Sequence, residues 1–270
     1  MDIQSLFSIS GKIAVVTGGG SGVGYMISEG FVKNGAKVYI VSRKAAVLEK
    51  AAATLNAMGP GQCIALPGDL QDVGRVAELG AELAELEPSG IDILVNNSGA
   101  NWATRDLASY PDSAWTKVLG LNLQRVFTMT QQLLPLLERR GTRDDPSRII
   151  NIGSINGLTV THLITPAYSA SKAGVHHLTR VLAANLGGKH VTANAIAPGP
   201  FESHMMAATL KNEGSKIVSG IPSGRIGRPS DIAGLCVMLS SRGGSYINGA
   251  VIPLDGGSTI ANQTYDHAKL

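Results

Sequence analysis

The sequence predicts an α/β fold: one domain built on a doubly wound, seven-stranded parallel sheet. Three observations carry this. Short apolar runs rich in Val and Ile recur along the chain and alternate with helical stretches, as strands covered on both faces do. A glycine-rich turn follows the first run directly. The composition is 44% hydrophobic and 16% charged with 33 glycines, which suits a covered sheet joined by many turns, and 270 residues are enough for one substantial core.

The first strand is expected over Lys12-Ile13-Ala14-Val15-Val16-Thr17. Gly18-Gly19-Gly20-Ser21-Gly22-Val23-Gly24 follows, then a helix from Tyr25 to Asn34. Glycines between strand and helix let the main chain approach a pyrophosphate, whose oxygens the free N–H groups at the helix start then bind. Thr17, Gly18, Gly20, Ser21, Gly22, Val23 and Gly24 are therefore candidates for cofactor binding, in a Rossmann-type arrangement.

The second strand, Ala36 to Val41, ends in Ser42-Arg43-Lys44. A fold of this kind that takes NAD places an acid here for the ribose 2′-OH. A hydroxyl and two cations suit a 2′-phosphate instead, so the expected cofactor is NADPH/NADP+. Gln62 to Leu66 reads as the third strand and ends at Gly68-Asp69-Leu70; Ile91 to Val95 is the fourth and leads into Asn96-Asn97-Ser98-Gly99. Arg148 to Ile152 is the fifth and delivers Ser154. Val191 to Ile196 is the sixth, ending in Pro198-Gly199, and Ala250 to Gly257 contains the seventh. Every candidate falls at a strand's carboxyl end or on the helix after it, where ligands bind in open α/β sheets.

Tyr168 and Lys172 lie four residues apart, on one face of a predicted helix, with Ser154 fourteen positions upstream of the tyrosine. A lysine ammonium is expected to lower the phenol from its ordinary pKa of about 10. A tyrosine tuned in this way passes a proton to or from an oxygen near neutral pH.

Thr17-Gly18-x-x-x-Gly22-x-Gly24, Asn96-Asn97-Ser98-Gly99, Asn122, Ser154, Tyr168-x-x-x-Lys172 and Pro198-Gly199 stand in the order and spacing of the short-chain dehydrogenase/reductase family. The chain resembles that family from about residue 8 to residue 260. Within it the chain looks most like the β-ketoacyl reductases, including those linked to rhamnolipid synthesis, through Leu133-Leu134-Pro135-Leu136-Leu137 and the wide interval from Ser154 to Tyr168. The resemblance implies NADPH-dependent reduction of a ketone to a secondary alcohol. Tyr168 would donate the proton, Ser154 would hold the carbonyl oxygen, and Lys172 would also bond the nicotinamide ribose. Asn122 would be the fourth catalytic residue, on a water-linked proton path to Lys172. The resemblance also carries Asp69 and Leu70 to the adenine, and Asn96, Ser98, Gly99, Pro198, Gly199, Phe201 and Ser203 to the cofactor. It implies a homodimer or homotetramer built through the helices after Asn96 and Ser154.

Three departures stand out. The interval from Ser154 to Tyr168 is one residue longer than the family's commoner spacing, Ser98 replaces the usual Ala, and Ser21 stands where many NADPH-using members carry a basic residue. Residues 200 to 228 resemble the family's substrate lid. Phe201, Met205, Met206, Leu210, Ile217, Val218 and Ile221 there point to an apolar or extended substrate, since Met adapts to variable ligands. Ordinary helix packing accounts for the same residues. An oxidising alcohol dehydrogenase, a dienoyl-type reductase and a non-catalytic cofactor-binding regulator are the competing readings.

A net charge of +3 is too small and dispersed for a nucleic-acid partner. No apolar run approaches the roughly 20 residues of a membrane span, and the first residues lack the pattern of a signal peptide. Cys63 and Cys236, far apart among apolar neighbours, read as reduced core residues, and no metal site is expected. His176-His177 lies one turn beyond Lys172; packing or a subunit contact is the expected role, with a role in the site left open. Ala268-Lys269-Leu270 resembles the peroxisomal address Ser-Lys-Leu, which makes an import receptor a candidate partner and leaves peroxisome and cytoplasm both open.

Overall fold

The computed structural model describes residues 2–160, 163–203 and 206–261. Seven strands form one sheet: β1 (Ile13–Thr17), β2 (Lys37–Ser42), β3 (Gln62–Pro67), β4 (Ile93–Asn96), β5 (Ser147–Ile152), β6 (Val191–Pro198) and β7 (Val251–Leu254). Their spatial order is β3-β2-β1-β4-β5-β6-β7, and all neighbours are parallel. The chain winds outward from β1 to β3, then returns beside β1 to begin β4. That reversal opens a crevice over the carboxyl ends of β1 and β4.

The helices are α1 (Ile3–Phe7), α2 (Gly22–Lys33), α3 (Ala45–Asn56), α4 (Val73–Leu86), α5 (Asp112–Leu119), α6 (Arg125–Arg140), α7 (Pro166–Leu186), α8 (Ala207–Ser219) and α9 (Pro229–Ser240). The two-residue period of the strands divides the core between them. Ala14, Val16, Val38 and Ile40 face Ile27, Phe31, Leu48 and Ile232 of α2, α3 and α9. Val15, Tyr39 and Val41 face Leu79, Leu83, Met129 and Leu182 of α4, α6 and α7. Because both faces are covered, β1 and β2 read as continuous apolar runs rather than as alternation.

The expected strands are found, with shifts at their ends. β7 is shorter than the apolar run and contains Pro253. It is tolerated there because β7 is the edge of the sheet and needs no donor on its outer side. Helix α2 starts at Gly22 rather than Tyr25, its first turn closed by Tyr25 N donating to the Ser21 carbonyl at 3.2 Å. Cys63 and Cys236 are free and buried, and burial pushes the Cys63 thiol up to about 12. Among the described residues no helix is long and apolar enough to cross a membrane.

At the opposite end of the sheet, Arg148 is buried on β5. Its Nε and Nη2 donate to the Leu239 and Ser241 carbonyls at 3.0 and 2.9 Å, which caps α9, and Nη2 also meets Asp145 at 3.0 Å. This cation ties α9 to the central sheet far from the crevice.

Candidate active site

The glycine turn is shaped by what surrounds it. Gly18 and Gly22 have φ of 66° and 53°, a region that side chains rarely adopt. A Cβ on Gly24 would stand 2.3 Å from the Gly18 carbonyl oxygen and 2.5 Å from Asn97 Nδ2. Gly20 packs on Leu48, and Ser203 comes within 3.3 Å of a Cβ on Gly22, so the loop after β6 lies over the turn. Ser21 is exposed, and Val23 packs on the core. Arg43 and Lys44 are exposed beside the half-buried Ser42 and make no ion pair among the described residues. A cradle that only glycine fits, with two free cations at the end of β2, suits a dinucleotide carrying a 2′-phosphate.

Several residues expected at the cofactor are otherwise engaged. The Thr17 hydroxyl accepts from Asn97 N and Ser98 N at 2.9 and 3.0 Å and donates to the Val95 carbonyl at 3.3 Å. It shapes the turn after β4 rather than reaching outward. Asn96 is buried, its Nδ2 donating to Asn151 Oδ1 at 2.9 Å and Thr130 Oγ1 at 3.1 Å. Leu70 is a core side chain. Phe201 is 3% exposed, packed on Gly227 and the core, so it is no lid side chain. Contacts from these residues to a cofactor would have to come from their main chains. Asp69 is half-buried and accepts from Gln71 N at 3.0 Å. Gly199 closes β6 by donating to the Leu254 carbonyl at 3.0 Å, directly after Pro198.

Ser154, Tyr168 and Lys172 do come together. Ser154 follows β5 and accepts from Asn156 N at 3.2 Å, at the start of a 3-10 turn over Ile155–Gly157. Its hydroxyl lies near enough to the Tyr168 phenol to favour the ionised form. Pro166 at the first position of α7 sets the helix carrying Tyr168 and Lys172. The Lys172 ammonium is buried, donates to the Ile152 carbonyl at 2.8 Å and stands 5.6 Å from the centre of the Tyr168 ring. The extra residue between Ser154 and Tyr168 lies in a loop that pairs across the crevice, Thr104 N donating to the Ile164 carbonyl at 3.2 Å.

The electrostatics correct one expectation. Lys172 does not lower the phenol: loss of water around Tyr168 raises its pKa, and the nearby Ser154 hydroxyl offsets only part of that. The same burial pushes Lys172 down to about 8. The ammonium is turned to the main chain of β5, so its field on the phenol is weaker than the sequence spacing implies.

Asn122 lies in a π-turn, Gly120–Gln124, inside one helical stretch from Asp112 to Arg140. The widened turn aims its side chain inward, a common use of such bulges. Oδ1 accepts from Ala100 N at 2.8 Å, while Nδ2 donates to the Ala100 carbonyl at 2.9 Å and to Ser171 Oγ at 3.1 Å. A Cβ on Gly99 would lie 3.3 Å from Asn122 Oδ1 and 3.7 Å from Lys172 Nζ, so Ser98-Gly99 brings the main chain up to both. Ser171 was not foreseen. It donates to the Tyr168 carbonyl at 2.7 Å and ties Asn122 to α7. The readable signal is a serine three residues after Tyr168, placed to bond back along a helix.

In the 200–228 segment, Ile221 is buried with Phe201, while Leu210, Val218 and Ile226 line a cavity of about 720 Å³ together with Glu202 and Ser203. Met205 lies outside the described residues, as does the Ala268-Lys269-Leu270 tail.

A glycine cradle at the switch of a doubly wound sheet, with a serine, tyrosine and lysine across the crevice, defines an oxidoreductase of the short-chain dehydrogenase/reductase family, and this chain belongs to it. The family model described as enoyl-(acyl carrier protein) reductase matches residues 18–259. Among curated relatives, the rhamnolipids biosynthesis 3-oxoacyl-[acyl-carrier-protein] reductase of Pseudomonas aeruginosa is 43% identical over 93% of this chain and 97% of its own. The galactitol 2-dehydrogenase (L-tagatose-forming) of Cereibacter sphaeroides is 34% identical over 96% of this chain and 100% of its own. Among solved structures, the Pseudomonas aeruginosa RhlG/NADP active-site complex superposes with a TM-score of 0.89 at 43% identity, covering 94% of this chain and 99% of the other.

Proposed function

We propose that this enzyme reduces a ketone to a secondary alcohol with NADPH, and that its substrate is of the β-ketoacyl type. The observation that carries the reading is the meeting of Ser154, Tyr168 and Lys172 with the phenol held protonated. The glycine cradle and the free Arg43 and Lys44 support NADPH as cofactor, as do the NADP complexes among its structural relatives. The 43% relative, a 3-oxoacyl reductase, supports the substrate class.

When bound, NADPH supplies the hydride that the carbonyl carbon takes up. Ser154 Oγ orients the carbonyl oxygen toward the phenol. Tyr168 passes its proton to that oxygen as negative charge develops there. A phenol pushed up by burial stays protonated at neutral pH, the form reduction needs; oxidation of an alcohol would need the phenolate. Lys172, charged below about 8, holds the proton that returns to Tyr168 after the transfer. Asn122 holds the Ala100 main chain and Ser171 so that a water-linked path can reach Lys172. Helix α8 (Ala207–Ser219) closes over the substrate, and the 720 Å³ cavity beside it gives an apolar chain room.

Purified protein should oxidise NADPH with acetoacetyl-CoA, and NADH far more slowly. Arg43→Ala with Lys44→Ala should raise the KM for NADPH by about 10- to 100-fold, as the loss of charge-assisted phosphate bonds implies, and leave that for NADH unchanged. Equal loss with both cofactors would remove the 2′-phosphate assignment.

The pH profile follows from Lys172. Below about 8 its charge is present and the reduction rate should be flat; as pH rises through 8 the charge is lost and the rate should fall. A rate that climbs through that range would contradict the role of Lys172.

A homodimer or homotetramer built through α6 and α7 is supported by Phe127 and Val181, 46% and 44% exposed on those helices. Of the two locations, the bacterial source of the 43% relative favours the cytoplasm. Fusing the last ten residues to a fluorescent protein in eukaryotic cells tests the peroxisomal address; diffuse signal rules it out.

A further inference from the structure

His176 sits one helical turn beyond Lys172 on α7 and is 3% exposed. Neither ring nitrogen completes a hydrogen bond among the described residues, although the Gly157 main chain is near enough to favour the protonated ring. Burial outweighs that contact, with Lys172 and Arg180 adding to it, and holds the imidazole neutral with a pKa of about 4. A buried ring with two unpaired nitrogens is a poor choice for a core position that Leu or Ile would fill. What it touches explains its presence. A Cβ on Gly153 would lie 2.1 Å from His176 Nε2 and 2.6 Å from Cδ2; a Cβ on Gly157 would lie 2.8 Å from Cε1. The ring therefore occupies a slot walled by two glycines, and those glycines bracket the turn that presents Ser154. The other side of Gly153 is pinned, its N–H donating to the Ile196 carbonyl at 2.7 Å.

We propose that His176 is a positioning residue: its ring is the wedge that sets the height of the Ser154 hydroxyl against Tyr168. The helix carrying Tyr168 and Lys172 thereby also gauges the turn carrying Ser154, so the three groups move as one body. The assignment rests on the ketone-reductase reading above.

The Gly153–His176 contact can be exchanged, which gives a test. At Gly153 the obstacles to a methyl are His176 and, at a tolerable 3.2 Å, the Ile196 carbonyl oxygen. His176→Ala, Gly153→Ala and the double variant would be crystallised, and assayed for acetoacetyl-CoA reduction, NADPH affinity and Tm. In the His176→Ala crystal the Gly153–Gly157 turn should sink toward the vacated slot, drawing Ser154 Oγ away from the Tyr168 hydroxyl. The kcat should fall about tenfold in His176→Ala and about 100-fold in Gly153→Ala, the scale of an ångström's misplacement, with NADPH affinity held within about twofold. The double variant, its new methyl refilling the slot, should recover kcat to within about threefold of the parent. Additive losses in the double variant, or an unmoved Ser154 in the His176→Ala crystal, would overturn the proposal. Should the parent itself reduce no ketone, the functional reading falls, and the Ser154 position in the variant crystals still decides the role of His176.

Discussion

Replacing Tyr168 by phenylalanine is expected to lower ketone reduction by about 10²- to 10⁴-fold, the range removed with a positioned general acid. The substitution is sparing everywhere else. The phenylalanine ring fills the same volume, keeps the Lys172 ammonium over its face and leaves the Lys172 bond to the Ile152 carbonyl untouched. What disappears is the hydroxyl that lies beside Ser154. The loss should therefore fall on kcat, with NADPH affinity within about twofold of the parent and Tm little changed, because an interaction made only in the transition state has gone. A variant that retains a large share of the turnover would mean the proton comes from elsewhere.

Gly24→Ala should have the second large effect, and through a different route. The added methyl would be forced against the Gly18 carbonyl oxygen at 2.3 Å and Asn97 Nδ2 at 2.5 Å. Neither can retreat cheaply. Gly18 N donates to the Val41 carbonyl at 2.7 Å, and Asn97 Nδ2 is held by the Thr17 carbonyl at 2.9 Å. The helix start must move instead, which costs about 1–3 kcal/mol in a packed interior and displaces the N–H groups that would receive a pyrophosphate. In thermal melts the parent should gain stability when NADPH is added. The variant should melt earlier and lose most of that gain. An unchanged melting curve with a full NADPH shift would place the dinucleotide away from this turn.

The two substitutions divide the crevice into halves that fail separately. Tyr168→Phe should spare the cofactor side and stop the chemistry. Gly24→Ala should damage the cofactor side while Ser154, Tyr168 and Lys172, which rest on β5 and α7, keep their arrangement. Catalysis needs both halves in register, and the register comes from β1, β4 and β5 lying side by side in one sheet.

Much of this was legible in the sequence. Parallel strands buried on both faces are largely apolar, so β1 and β2 announce themselves as runs rich in Val and Ile. A left-handed turn between strand and helix demands glycine at Gly18 and Gly22, and close packing demands it at Gly24, so the cradle was visible as a run of glycines. Helical spacing alone set Tyr168 and Lys172 on one face. The sequence by itself thus determined the fold class and the residues offered at the strands' carboxyl ends. Only the tertiary structure decided which of those residues face the crevice and in what state. Thr17 and Asn96 proved to be held by buried hydrogen bonds, Phe201 was drawn into the core, and Asn122 was turned inward by a π-turn that no local pattern marks. Burial likewise reversed the expected shift of Tyr168 and depressed Lys172. The physical reason is common to all six. Periodicity and turn chemistry are local and survive in one dimension, whereas desolvation and hydrogen-bond partnership depend on atoms that folding brings from distant parts of the chain.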